Sequence, residues 1–309
     1  MSGARELLGE MLATRLPKPA SGWLAAATAQ LSKGADAEQF AKLVSLSSRY
    51  VAKQPFAPTS AEIGRAFDAC EGWNPERWSL LDAARVALVL GRPDLEEPTA
   101  SEALEEAFRY GDVGELGALY RSLQFLPRPE QFVWRAGEGC RSSMRSVFEA
   151  AACDNGFPVR NFADLAWRQL VIKALFVEAP LWRVYGLDTR LDPELARMAL
   201  DLAEERRSAK RQVQPELWLC LATHGGERGM ASIERELARG NTLGRRAAAI
   251  ALARAGGLKR LAELLEQEHE PAVARTMRDA LAGRIQQTAF RELDPNEQAT
   301  KRQDDETTR

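Results

Sequence analysis

The chain has 309 residues, 45% of them hydrophobic and 28% charged, with 42 basic against 44 acidic side chains and a formal net charge of −2. Such a length sustains a large buried core, and the composition is ordinary for a globular protein. The evenly mixed charge leaves no electrostatic footprint for nucleic acid, and the absence of any run of about 18 apolar residues excludes a span across a bilayer.

In the first twenty residues, charges at Arg5, Glu6, Glu10, Arg15 and Lys18 interrupt the apolar positions. That pattern is not a signal peptide, so a cytoplasmic protein is expected. Helical periodicity predicts helices over 4–16 and 22–31, broken by Pro17 and Pro19, and over 37–51 behind Asp36 as N-cap. Residues 54–59 hold Pro55 and Pro58 and read as a loop. Helices follow over 60–70 and 75–90, the second with Trp78, Leu81, Ala84, Arg85 and Leu88 at helical spacing and Gly91-Arg92-Pro93 as its stop. Residues 101–110 and 113–125 form an antiparallel helix pair around Gly111-Asp112. A Pro-containing turn over 127–129 then leads into helices over 132–138 and 140–153. No segment alternates with a period of two in β-branched residues, so no sheet is predicted.

The stretch 161–219 is the densest in information. A helix over 162–177 is apolar nearly all round in its second half, as expected of a central helix packed on several sides, with Lys173 its only charge there. A loop over 178–192 carries Pro180 and Gly186, with Trp182, Arg183, Tyr185, Asp188 and Arg190 between and after them. Asp192 then caps a helix that opens with Pro193 and reaches about Arg211. Leu195, Met198, Ala199, Leu202 and Ala209 share one face of it, and Arg206 projects from the middle of that face. A buried cation needs a counter-charge, and Asp188, Asp192 and Glu194 are the nearest carboxylates along the chain. Lys173 and Arg206 then either pin the loop to the two helices through buried ion pairs, or line a pocket for an anionic or polyhydroxylated small molecule walled by Trp182 and Tyr185. Glu204 is expected to face solvent and to pair with Arg207 three residues on. Of the seven tryptophans, Trp182 stands out because it sits in the loop: exposed it would mark a binding surface, buried it would be a plug.

The run 169–218 resembles the EboA family of bacterial proteins. The matching residues are Lys173-Ala174-Leu175-Phe176, Pro180-Leu181, Gly186-Leu187-Asp188 with Arg190, Glu194 to Met198, Glu205-Arg206, and Val213 with Pro215 to Trp218. The chain departs from the family where a His-Glu-Arg-Trp series is replaced by Glu204-Glu205-Arg206-Arg207 and a glycine by Lys210, so no role of that histidine or tryptophan carries over. The resemblance implies a component of a biosynthetic and export gene cluster, described as a metabolite traffic protein, whose partners are other proteins of that cluster, a membrane component among them, or a small-molecule metabolite. Its candidate centre, for a ligand or for structural ion pairs, comprises Lys173, Trp182, Tyr185, Asp188, Arg190, Glu194, Glu205 and Arg206.

Beyond Trp218 come short amphipathic helices over 230–239, 243–255, 258–267 and 272–285, resembling the helix pairs of HEAT-like solenoids. After Phe290 the chain is polar and is expected to be disordered. His224 and His269 lie apart, and Cys70, Cys140, Cys153 and Cys220 lack metal-ligand spacing, so free thiols and neither metal nor cofactor are expected. Glycine-rich phosphate loops are missing, and no catalytic residue is assigned. The fold class is therefore all-α: an irregular helical array with HEAT- or ARM-like pairs toward the C-terminus. It divides into an N-terminal helical region (1–160), a central core with the family motif (161–222), HEAT-like pairs (223–290) and a polar tail (291–309). Three functions fit: a non-catalytic binding or scaffold protein, an enzyme using a pocket near Lys173, Tyr185, Asp188 and Arg206, and an adaptor gripping an acidic protein through Arg245, Arg246, Arg254 and Lys259.

Overall fold

In the computed structural model, which describes residues 2–294 and Glu297, the chain is helical throughout and no strand forms among the described residues. An isolated bridge between Pro55 and Ser79 is the nearest approach to a sheet. The chain divides into two compact units, 1–170 and 171–309.

The first unit holds α1 (Ser2–Arg15), α2 (Lys18–Leu31), α3 (Ala37–Tyr50), α4 (Ser60–Ala69), α5 (Leu80–Leu90), α6 (Pro98–Tyr110), α7 (Val113–Ser122), α8 (Val133–Arg141), α9 (Arg145–Ala152) and α10 (Phe157–Asn161). Their starts follow local chemistry. Asp36 accepts a hydrogen bond from the backbone N–H of Gln39, while Thr59 with Glu62, Ser79 with Asp82, and Asp112 with Glu115 form capping boxes. The Ser79 box corrects the single helix expected over 75–90. Pro75–Arg77 is a separate 3-10 turn, Trp78 is extended, and α5 begins only after the serine, because a capped serine holds non-helical dihedrals. The helix expected over 140–153 is likewise split: Cys140 belongs to α8, and α9 begins at Arg145.

Helix α5 is the core of this unit and packs on α1, α2, α3 and α7. Its Arg85 is 3% exposed, donating from Nε to the Val44 carbonyl at 3.2 Å and to Ser47 Oγ at 3.0 Å, with Glu115 Oε1 at 3.6 Å. Trp73, Trp78 and Phe125 form a buried aromatic cluster, the Trp73 and Phe125 rings meeting edge-on at 4.9 Å.

Helix α11 (Asp164–Phe176) carries the boundary between the units. It is not buried all round, since Leu165 and Phe176 are 63% and 57% exposed. The second unit then contains α12 (Pro193–Ser208), α13 (Gly226–Arg239), α14 (Thr242–Arg254), α15 (Leu258–Glu266) and α16 (Pro271–Leu281), with 3-10 turns at Pro215–Cys220 and Gln287–Leu293. Its central element is α14. Residues Ala247 to Ala253 are all buried, and its small side chains let α13, α15, α16 and the Pro215–Cys220 turn approach it on different sides.

The expected disorder after residue 290 needs correction where the chain is described. Phe290, Leu293, Asp294 and Glu297 are buried, and Arg291 Nε donates to Glu297 at 2.8 Å. Phe290 and Leu293 lie three residues apart and fall on one side of the 3-10 turn, so this polar stretch contributes apolar anchors. The remainder of the expected tail, 298–309, lies outside the described residues.

Candidate functional site

The motif loop is built by the end of one helix and the start of the next. After α11, Glu178 takes the left-handed conformation (φ 56°) that stops a helix, and Ala179 N–H reaches back to the Ala174 carbonyl. Leu181–Arg183 and Leu187–Thr189 form two 3-10 turns joined at Gly186 (φ 78°), a conformation in which glycine carries no steric penalty. At the far end the Asp192 carboxylate accepts from the Leu195 N–H at 2.8 Å and starts α12.

Side chains from later in the second unit hold this loop. Glu216 accepts from Leu181 N–H at 2.6 Å, and Gln214 donates to the Leu175 carbonyl. The Gln287 amide donates to the carbonyls of Leu181, Trp182 and Val184 at 3.0, 3.0 and 2.7 Å. Trp182 is 7% exposed; its Nε1–H donates to Asp294 at 3.1 Å, and the Arg291 guanidinium lies 5.2 Å from the centre of its ring. Trp182 is a plug, not a surface marker. Asp188 meets Arg254 from the end of α14 at 2.5 Å and also accepts from Gln287 N–H at 3.1 Å. Arg254 in turn donates to the Ile285 carbonyl at 2.7 Å. The Gln287–Leu293 turn therefore acts as a strap across the motif loop.

Of the predicted centre, Trp182 and Asp188 are brought under this strap. Asp188 pairs with Arg254, not with either predicted cation. Arg206 is half-buried, donates from Nε to the Gln212 carbonyl at 2.7 Å, and has no carboxylate partner among the described residues. Lys173 is half-buried and makes no ion pair among the described residues. Tyr185 and Arg190 are half-buried within the loop, Glu194 is exposed and pairs with Arg197 at 2.7 Å, and Glu205 is exposed.

The inward cation of α12 is Arg207. It does pair with Glu204, at 3.1 Å, but it also donates to Ser232 Oγ at 2.7 Å and meets Glu236 at 3.3 Å, while packing over the Trp218 ring. The signal was present: Ala196, Leu200 and Ala203 form a second apolar stripe that leads to Arg207 as surely as the first leads to Arg206. The cations proposed to grip an acidic partner are mostly engaged internally as well. Arg245 pairs with Glu268, Arg246 donates to Thr276 at 2.9 Å, and Arg254 holds Asp188; Lys259 is exposed.

Each unit carries a cleft open enough to admit a small molecule. In the second unit a cavity of about 180 Å³ is lined by Arg246, Thr276, Asp279, Arg284, Gln286 and Glu292. Burial lowers the Arg246 pKa, against the opposing pull of Glu292, and Asp279 pairs with Arg284. In the first unit a larger cleft of about 490 Å³ lies between α1 and the turn after α5, lined by Arg5, Glu6, Leu90, Arg92, Leu95 and Glu96. Neither borders Lys173, Tyr185 or Arg206. Among the described residues no group of three or more His, Cys, Asp or Glu side chains is placed to hold a metal ion, and no helix is long and apolar enough to cross a membrane.

A family model described as "Metabolite traffic protein EboA" matches residues 4–222, most of the chain. The match includes the motif loop and ends before α13, so Arg254, Gln287 and Asp294, which brace the loop, lie beyond it. No curated protein and no solved structure matches the chain.

Proposed function

The chain is a member of the EboA family, and on that footing we propose that it is a non-catalytic binding or scaffold protein in the traffic of a secondary metabolite, working on the cytoplasmic side with other proteins of the same biosynthetic and export system. The family description supplies the traffic role. The non-catalytic part rests on how the motif loop spends its polar groups: the Trp182 indole, the Asp188 carboxylate and the carbonyls of Leu181, Trp182 and Val184 are all engaged by Asp294, Arg254 and Gln287. Groups bound in this way position backbone and are withheld from proton transfer or nucleophilic attack. In this reading the motif is the keel of a helical array whose outer clefts and faces carry cargo and partners.

Purification of the full chain from its own host, followed by denaturation and mass spectrometry of what is released, tests it. The expected result is a small molecule or partner protein in near-stoichiometric amount, with the small molecule returned unchanged after prolonged incubation with fresh protein. Protein-dependent conversion of that molecule, lost on Lys173→Ala, would instead establish an enzyme. Release of neither metabolite nor partner would remove the binding role.

A further inference from the structure

We propose that the cavity between α14, α16 and the strap Gln287–Leu293 is a binding site for a small monoanionic hydroxy acid, whose carboxylate is received by Arg246. The Arg246 side chain rises from α14 and is 15% exposed. Its Nε donates to the Thr276 hydroxyl at 2.9 Å, and the carboxylate paired with it, Glu292, stands 3.9 Å from Nη2, too far for a hydrogen bond. Nη1 and Nη2 therefore make no hydrogen bond among the described residues, and neither is closed to solvent. Thr276 and Glu292, which bracket the guanidinium, line the cavity together with Arg246 itself, so the unmade edge opens into it. That edge is a planar pair of donors with the spacing to receive two oxygens of one carboxylate. Burial already weighs against the charge of this arginine, and an anion on its open edge offsets that cost.

The other walls set the charge and size of the occupant. Arg246 and Arg284 line the cavity with Asp279 and Glu292, two charges of each sign, and Arg275 is near enough to repel Arg246. One negative charge brings this set to neutrality, whereas a dianion would set a second charge against the two carboxylates. The Thr276 hydroxyl is already spent, donating to the Ala272 carbonyl at 3.1 Å, but that of Thr288 is exposed, lines the cavity and has no partner among the described residues. A hydroxyl on the occupant meets it, and the hydrocarbon faces the buried Ile250 and Leu293. The volume of about 180 Å³ is that of about six waters at roughly 30 Å³ each, which suits an acid of about six non-hydrogen atoms. Every lining residue lies beyond residue 222, where the family match ends, so this site goes beyond the traffic role and does not depend on it.

Calorimetric titration of the full chain with L-lactate, at constant ionic strength, tests the site. Three further probes each change one property: propanoate lacks the hydroxyl, 1,2-propanediol lacks the carboxylate, and sulfate carries two charges. Saturable lactate binding is expected, with propanoate severalfold weaker and with 1,2-propanediol and sulfate weaker by about tenfold or more, as loss of a charge-assisted hydrogen bond or gain of a repulsion implies. Arg246→Lys keeps the charge but cannot present a fork, so lactate should weaken by about tenfold or more. Thr288→Val should reduce lactate to the level of propanoate. Glu292→Gln removes the carboxylate nearest the fork and should tighten lactate severalfold, a gain that a poorly folded variant cannot imitate. Absence of saturable lactate binding up to about 10 mM, binding of 1,2-propanediol or sulfate as tight as that of lactate, undiminished binding in Arg246→Lys, or weaker binding in Glu292→Gln would overturn the assignment.

Discussion

At the scale of single residues, neighbouring arginines have opposite duties. Arg206 reaches the Gln212 carbonyl in the loop that follows its own helix, whereas Arg207 holds Ser232 and Glu236 on α13. Removing Arg207 leaves Glu236, which is 9% exposed, without its cation, and stranding one member of a buried pair costs on the order of 3 kcal/mol. Arg206→Ala forfeits one hydrogen bond, worth about 1 kcal/mol. Denaturant unfolding of the two variants should therefore separate them by about 2 kcal/mol, with Arg207→Ala the weaker; the reverse order would mean that Arg206 carries an interaction absent from this account. The ambiguity was built into the sequence, because two adjacent apolar stripes on α12 each end on an arginine. Periodicity identifies a face to within one residue at best, and only the position of α13 settles which arginine is covered.

At the scale of elements, the strap Gln287–Leu293 is the part that sequence composition hid. The chain after Phe290 reads as a polar tail, yet Leu293 is buried together with Phe290, and the Gln287 amide shares its two N–H bonds among three loop carbonyls. Each large apolar side chain so buried contributes roughly 1.5–3 kcal/mol, and a buried carbonyl left without a donor costs roughly 1–3 kcal/mol. A chain ending at residue 285 should accordingly lose several kcal/mol, with a fall in Tm of many degrees. Trp182 should become accessible to acrylamide quenching, judged against the same chain carrying Trp182→Phe. An unchanged Tm and a still-shielded Trp182 would show that the loop stands without its strap. The helix starts, by contrast, were legible: Asp36, Asp192 and Pro193 lie where the sequence placed them, since a cap acts through backbone groups two or three residues away.

At the scale of the molecule, both units bury cysteine thiols in surroundings that oppose ionisation. Burial raises the pKa of Cys140 strongly and pushes that of Cys220 up to about 12, from an ordinary 9.0. Cys153 is also buried, while Cys70 is half-buried with its thiol raised by the same cause. Alkylation of the native chain near pH 8 should modify Cys70 slowly and leave the other three, all four reacting once the chain is denatured. The sign of the pH effect follows. A thiol whose folded pKa lies above its unfolded value adds stability below the unfolded value, and that contribution is lost as pH rises from about 9 toward 12. Rapid native labelling of Cys140 or Cys220, or stability that climbs over that interval, would contradict the burial described here.

What the sequence determined by itself was local or statistical: an all-α chain from its periodicity, helix starts from their caps, free thiols from cysteine spacing, and family membership from the run 169–218, which the match over 4–222 bears out. These depend on residues within a turn or two of one another, or on linear order. What the tertiary structure decided was pairing: Asp188 with Arg254 instead of Arg206, Trp182 with Asp294, and Arg207 with Glu236. The partners of Trp182 and Asp188 are separated by 112 and 66 residues, so no periodicity links them. A buried charge announces that it needs a partner, but which partner it finds depends on how the helices pack.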